Sequence, residues 1–337
     1  MNKRIISFLL VLVLGLSLTA CNGKTLDNSS SNLPLKVIVA HGGVEKIFGE
    51  FSEKTGIKVE FIDMSSGEAL ARLEAEGGTP VADVWFGGGL DSFIAAKDKG
   101  LLEQYVSPET ETMKEAYKDK DGYWTGMSLV TAGFLVNNDV LKEKGLEVPL
   151  SWSDLIKPEY KDEVLMSDPS ISGTNYAVIN SILQVQGEEK GWDYLKALAE
   201  NVPFFAQRGG EPPNKVAAGE IAVGIIPMSG EYVTLDQIAP VTAIYPSDGI
   251  PWVPAGLAIF KNSENLEGAK VFVDWALSIE GQEIIRDADP RVMGRPEVSV
   301  PKEMQDLNLE NLMDVDILLY GQQRENILNI WEAKVAK

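Results

Sequence analysis

The chain has 337 residues, and its 50 acidic against 30 basic side chains set a formal charge of −20, which opposes binding to nucleic acid or to an anionic membrane surface. A single cysteine, Cys21, excludes an internal disulfide and the cysteine-clustered zinc motifs. The acidic field does not fix the sign of a small ligand, because screening over about 8–10 Å lets a local group of N–H donors outweigh it.

Met1–Arg4 is basic, Ile5–Leu18 is apolar, and Leu18-Thr19-Ala20-Cys21 ends in small residues. That order describes an export signal over residues 1–20, since the apolar run is too short to span a bilayer comfortably. LTAC matches the bacterial lipobox, so Cys21 is the expected lipidation site. Residues 21–34, rich in Ser and Asn and without periodicity, read as a flexible tether. The mature protein is then expected to be lipid-anchored to the cell membrane, facing the extracellular surface or the periplasm.

About 300 residues remain, enough for two lobes with their own cores. Leu35–Ala40 reads as a strand, followed by His41-Gly42-Gly43 and an amphipathic helix over Val44–Thr55 with Gly56 as its stop. Ile57–Ile62 is the next strand, then a Ser65-Ser66-Gly67 loop and a helix over Glu68–Glu76. Val81–Phe86 runs into Gly87-Gly88-Gly89 and a helix over Leu90–Lys99. Alternating strands and helices with small residues after each strand predict a parallel sheet whose strand ends face a crevice.

Asp121–Leu129 and Ala132–Asn137 change the rhythm and read as a crossing into a second unit. There the short strand Val164–Met166 leads into Asp168–Tyr176, DPSISGTNY, at the start of a helix. A helix N-terminus holds anions through its free N–H groups and dipole, and small hydroxyl residues there either cap the helix or touch the anion. A loop over Gln207–Asn214, the strand Ile221–Ile226 and a helix opening at Met228–Asp236 follow. Val241–Tyr245, Pro246–Pro254 and Gly256–Lys261 read as the return crossing. Leu266–Gln282 is a patterned helix, and a proline-interrupted stretch over Pro290–Pro301 precedes helical patterns from Leu309 to Lys337.

Several blocks in order resemble the extracellular solute-binding lipoproteins of ABC importers, in the branch that binds ferric iron, phosphonates and sugar phosphates. They are ADVWFGGGLDSFIAAKDKGLLEQY (Ala82–Tyr105), DGYWTG (Asp121–Gly126), WSDLIKPEYKDEVLMSDPSISGT (Trp152–Thr174), VAAGEIAVGI (Val216–Ile225) and GAKVFVDWALSIEGQEI (Gly268–Ile284). The resemblance implies an α/β, two-lobed type II periplasmic-binding-protein-like fold with two β-crossings as hinge. Its lobes would be 35–130 plus 255–288 and 131–254 plus 289–337. It also implies a monomer that closes on one solute and docks on permease subunits.

Ferric members of that family use a His after the first strand, a Glu after the third and a tyrosine pair after the strand here read at Ile221–Ile226. His41 falls near the first position, but the Glu position falls in Gly87–Gly89, the tyrosine pair falls near Met228–Gly230, and Tyr232 stands alone. These departures disfavour ferric iron, and the resemblance points to a small anionic solute, a phosphorylated sugar, organophosphate or phosphonate, with no metal ligand set and no cofactor. A ferric-iron receptor is the alternative reading, and a thiamine- or polyamine-type receptor a further one. Its candidate contacts are Ser172, Gly173 and Thr174 as anion cradle, with Ser65, Ser66, Gly87 and Gly88 as further small-residue loops at strand ends. Arg208 reads as a second anion grip or a solvated loop charge. His41 reads as a ligand contact or an exposed loop residue. Ser229 and Glu231 replace the His-Asp pair of sugar-phosphate members, and Glu231 with Asp248 could accept from hydroxyl or amino groups. Trp85, Trp124 and Trp252 are candidate stacking surfaces; Trp192 and Trp275, at helical spacing, read as core.

An enzyme finds no support in the motifs. A Ser-His-Asp site has only His41 to use, there is no G-x-S-x-G elbow, P-loop or HExxH, and Pro301 inside Ser299–Lys302 opposes the helix that an S-x-x-K pair needs. A two-carboxylate hydrolase is the reading that acidic residues alone would still permit.

Overall fold

The computed structural model describes residues 33–77 and 79–335. The export signal, Cys21 and all but the last residues of the tether lie outside them. The first half runs β1 (Leu35–Ala40), α1 (Val44–Thr55), β2 (Val59–Asp63), α2 (Ser66–Ala75), β3 (Val84–Gly89), α3 (Leu90–Asp98) and β4 (Leu102–Glu103). β1 pairs in parallel with β2 on one side and with β3 on the other. The loops after these strands therefore gather at one edge, as the alternating pattern predicts.

β5 (Thr125–Asn137) is one continuous strand through both runs that the sequence divides at Val130–Thr131. It is buried along its whole length, and so gives no period-2 alternation by which to trace it. The helix α4 (Asn138–Lys144) follows, then β6 (Val164–Ser167), α5 (Gly173–Gln186), α6 (Glu188–Ala199), β7 (Phe205–Ala206), α7 (Glu211–Ala217), β8 (Val223–Pro227), α8 (Gly230–Val233) and β9 (Val241–Ile244). The return strand is β10 (Trp252–Phe260), followed by α9 (Leu266–Leu277), α10 (Ile279–Ala288), α11 (Ile317–Gln322) and α12 (Arg324–Lys334).

The two crossings are β5 and β10. From Thr125 to Thr131, β5 is antiparallel to β10, and from Ala132 onward it is antiparallel to β8 and β9. β10 in turn is antiparallel to β3. The strand order β2-β1-β3-β10-β5-β8-β6-β7 thus joins two parallel half-sheets through a shared antiparallel pair. A pair of strands carrying the chain between halves is a hinge. The return crossing is narrower than the sequence suggests: β9 pairs with β5, and only Trp252–Phe260 crosses.

Each half has an aromatic core. Trp85 stacks on Phe93 at 4.1 Å and faces Phe260 at 5.7 Å. Phe51 meets Phe272 edge-on at 5.0 Å, and in the other half Phe134 meets Trp152 edge-on at 4.8 Å. Such pairs contribute about 0.5–1.5 kcal/mol each beyond area burial. Trp85 and Trp124 are buried, so they pack the core and offer no stacking surface, and the Trp252 indole donates to Met313 O at 2.9 Å. Trp192 and Trp275 are buried as the helical spacing predicts. No helix among the described residues is long and apolar enough to cross a membrane.

Candidate functional site

Small residues let backbone from both halves converge at the strand ends. Gly87 and Gly88 have φ of 90° and 86°, values that exclude side chains. They are the last turns of strand β3 itself, since Gly89 still pairs with Ala255; the sequence reading of a loop there is corrected. A Cβ on Gly87 would lie 3.0 Å from the His41 Cβ, and one on Gly88 would lie 2.6 Å from the Ser66 Cβ. The two halves touch at this edge. The Gly67 amide donates to Ile171 O at 3.1 Å, and a Cβ on Gly173 would meet Ser66 Oγ at 2.7 Å.

The wall from the second half is built by α5. Ser172 is its N-cap, its Oγ accepting from the Asn175 amide at 3.3 Å and from Asn175 Nδ2 at 3.1 Å. The Gly173 and Thr174 amides have no acceptor among the described residues. Capping and free donors therefore coexist on one helix end. That end also faces a carboxylate of the protein itself, because a Cβ on Gly173 would lie 2.9 Å from Asp91 Oδ1. Gly209 and Gly210 continue this wall toward Ser172 Oγ and the Tyr232 hydroxyl. Beside them Arg208 is exposed, and its guanidinium makes no hydrogen bond or ion pair among the described residues.

The opposite wall is charged and buried. His41 Nδ1 donates to Gly42 O at 2.7 Å, which leaves Nε2 as a buried acceptor with no partner among the described residues. Asp289 lies 3.5 Å from that Nδ1, accepts from the Gly42 amide at 3.2 Å, and takes Arg291 Nε and Nη2 at 2.9 and 2.6 Å. Burial pushes His41 down to about 4, with help from the Arg291 guanidinium, so the ring is neutral when folded. Burial alone would raise Asp289, but the charge and hydrogen bonds of Arg291 and the Gly42 amide carry it below the usual carboxylate range. Glu231 is raised by partial burial and by the Asp289 charge, against the pull of Arg291. Ser66 Oγ, Ser229 Oγ and Asp289 Oδ1 are also buried without partners among the described residues, an arrangement costing about 1–3 kcal/mol each.

His41 gives a pH prediction. Its folded value lies below the unfolded one of about 6.5, so the unfolded chain binds the extra proton and stability falls as pH drops through that window. Between pH 7 and 5 this group is expected to cost about 2 kcal/mol. Urea unfolding at both values should show His41→Gln losing correspondingly less than the parent. An equal loss in both proteins would show that His41 takes up its proton alike in the folded and the unfolded chain.

The structure thus brings His41, Ser66, Gly87, Gly88, Ser172, Gly173 and Thr174 together where the halves meet, with Ser229 and Glu231 beside Asp289 and Arg208 exposed nearby. Ser65 is adjacent but occupied, its amide and hydroxyl both donating to Glu68. Asp248 is not there. It accepts from the Trp152 and Ser153 amides at 2.9 and 3.4 Å, capping a turn in a groove with Glu310 and Asp314. Its role in the sequence reading is corrected accordingly. Sequence reasoning missed Asp289, Arg291 and Asp91. The only signal for the first two was an acid and a base flanking Pro290 just after a helix. Among the described residues no group of three or more His, Cys, Asp or Glu is arranged to hold a metal ion.

Comparison with known proteins identifies the family and the fold. The profile of the bacterial extracellular solute-binding protein family matches residues 80–312. An uncharacterized protein of Haemophilus influenzae is 35% identical over 298 residues, spanning 85% of this chain and 86% of its own. The phosphoglycerate transport regulatory protein PgtC of Salmonella typhimurium is 31% identical over 169 residues, 49% of this chain and 42% of that protein. The periplasmic binding protein AfuA of Actinobacillus pleuropneumoniae, solved with exogenous fructose-6-phosphate bound, superposes with a TM-score of 0.84. That match is 32% identical and covers 90% of this chain and 98% of AfuA.

Proposed function

The chain belongs to the bacterial extracellular solute-binding protein family as the substrate-binding component of an ABC importer, and from that premise we propose that its cleft captures a small organophosphate carrying hydroxyl groups, a sugar phosphate or phosphoglycerate. The observation that carries this is the asymmetry of the cleft. One wall offers donors without acceptors, the Gly173 and Thr174 amides, beside the unpaired Arg208. The other offers buried acceptors without donors, His41 Nε2 and Asp289 Oδ1, with Glu231 beside them. A phosphate suits the first wall, where charge-assisted hydrogen bonds and the helix dipole act together. Hydroxyl groups suit the second, because a neutral imidazole nitrogen and a carboxylate both accept O–H. The fructose-6-phosphate in AfuA and the phosphoglycerate in the name of PgtC support the same class of ligand.

In this reading the lobes, 35–130 plus 255–288 and 131–254 plus 289–337, close on the solute, and the monomer delivers it to the permease while held to the membrane through Cys21. No side chain of the cleft is assigned a chemical step. A thermal-shift panel tests the proposal with fructose 6-phosphate, 3-phosphoglycerate, an aminophosphonate, inorganic phosphate, fructose and ferric citrate. A hydroxylated organophosphate at a hundred times its dissociation constant is expected to stabilise by about 2.7 kcal/mol, roughly 5 °C or more, while fructose and inorganic phosphate do far less. Stabilisation by ferric citrate alone would overturn it in favour of an iron receptor.

A further inference from the structure

Arg324 opens α12 and sits outside the walls just described, yet it touches both halves of the molecule. Its Nε donates to Asp91 Oδ2 at 2.9 Å, in the first turn of α3. Its Nη2 donates to Ser170 O at 2.9 Å, in the turn before α5. The guanidinium also lies over the Tyr176 ring, 5.6 Å from the centroid. Side-chain exposure is 11% for Arg324 and 1% for Asp91, so this is a largely buried ion pair and not a surface one. The Gly67 amide bonds Ile171 O beside it, which makes Asp168–Ser172 the place where the halves meet.

The helix pair that carries Arg324 is fixed to α5. The Tyr176 hydroxyl donates to Tyr320 O at 2.7 Å, and Gln184 both accepts from the Asp316 amide at 2.8 Å and donates to Asp316 O at 3.1 Å. The Tyr320 hydroxyl donates in turn to Trp252 O at 2.9 Å, on the crossing strand β10. On the other side Gly321 packs so tightly on α3 that a Cβ would lie 2.2 Å from Ile94 Cγ2. The C-terminal helices are thus held to both halves, by hydrogen bonds to α5 and by the close packing of α11 on α3, with Arg324 as a polar link between them.

We propose that Arg324 is a tie between the lobes, so that the C-terminal helices set how far the closed form is populated before any ligand arrives. A receptor whose binding-competent form is only partly populated binds with its intrinsic dissociation constant divided by that fraction. Arg324 is then a positioning residue for affinity without touching the solute. Loss of the guanidinium strands a buried carboxylate, and separation of the lobes is the movement that returns water to it. Burial raises the Asp91 carboxyl against the pull of Arg324 and Ser92, which is the same tension seen from the acid.

Hydrogen exchange on the purified, ligand-free full-length chain tests this independently of which solute is captured. In Arg324→Gln, amides in 66–75 and 168–176 are expected to exchange on the order of tenfold faster, while β3 and β6 keep their protection. Small-angle scattering should show a larger radius of gyration. Arg324→Lys should fall between the two, because one ammonium cannot span both Asp91 and Ser170 with a planar fork. Should Arg324→Gln fail to fold, Asp91→Asn removes the same ion pair with little change in volume and is expected to speed the same segments. Parent-like exchange there, or faster exchange confined to α11, α12 and the sheet core, would overturn the proposal.

Discussion

Gly67→Ala is expected to fold at least as firmly as the parent chain and to lose on the order of a hundredfold in affinity for a phosphorylated ligand. Gly67 lies in the first turn of α2, where its backbone is helical and alanine is no worse than glycine, with a gain of up to about 1 kcal/mol. The obstacle lies across the cleft. A Cβ at this position would sit 2.1 Å from Ser170 O and 2.7 Å from Ile171 O, both backbone atoms of the other half. Neither can rotate away as a side chain can, so closure has to stop short and the two cleft walls no longer reach one ligand together. Titration calorimetry with the best stabiliser of the panel, alongside urea unfolding, separates the two effects. Parent-like affinity in a folded Gly67→Ala protein would show that the lobes need not approach this closely to bind.

Asp289→Ala carries the largest expected loss of stability. The carboxylate is 2% exposed and serves three partners at once: the Gly42 amide, the Arg291 guanidinium and the His41 ring. Removing it leaves Arg291, 11% exposed, without an anion, and one-sided loss of a buried pair costs about 3–5 kcal/mol. The melting temperature is expected to fall by roughly 5–8 °C. Asp289→Asn, which keeps an oxygen for the Gly42 amide and the guanidinium, should lose less. A drop below about 1 kcal/mol in Asp289→Ala would mean that water already screens the pair.

Much of the fold was legible in the chain because its cause is local. The alternation of strand, small-residue loop and amphipathic helix follows from periodicity and glycine, and it gave the parallel first half and the edge at which His41, Ser66 and Gly88 assemble. The capped start of α5 was legible for the same reason, since capping joins residues three apart. β5 was harder to trace, because a strand buried on both faces carries no alternation. Trp85 and Trp124 could not be told from binding surfaces by composition, since an indole suits a ligand and a core equally well.

The site divides along the same line. The sequence by itself determined the class of fold and the strand ends that bear small and polar residues. Only the tertiary structure decided which groups meet there. It sent Asp248 to cap a turn elsewhere, paired Asp289 with Arg291 opposite His41, and set Asp91 and Arg324 between the halves. Asp91 and Arg324 are 233 positions apart in the chain, and the Gly42 amide that Asp289 accepts from is 247 positions from it. Burial, which turns His41 into a neutral acceptor and makes Asp91 dependent on Arg324, exists only once distant segments have closed over them.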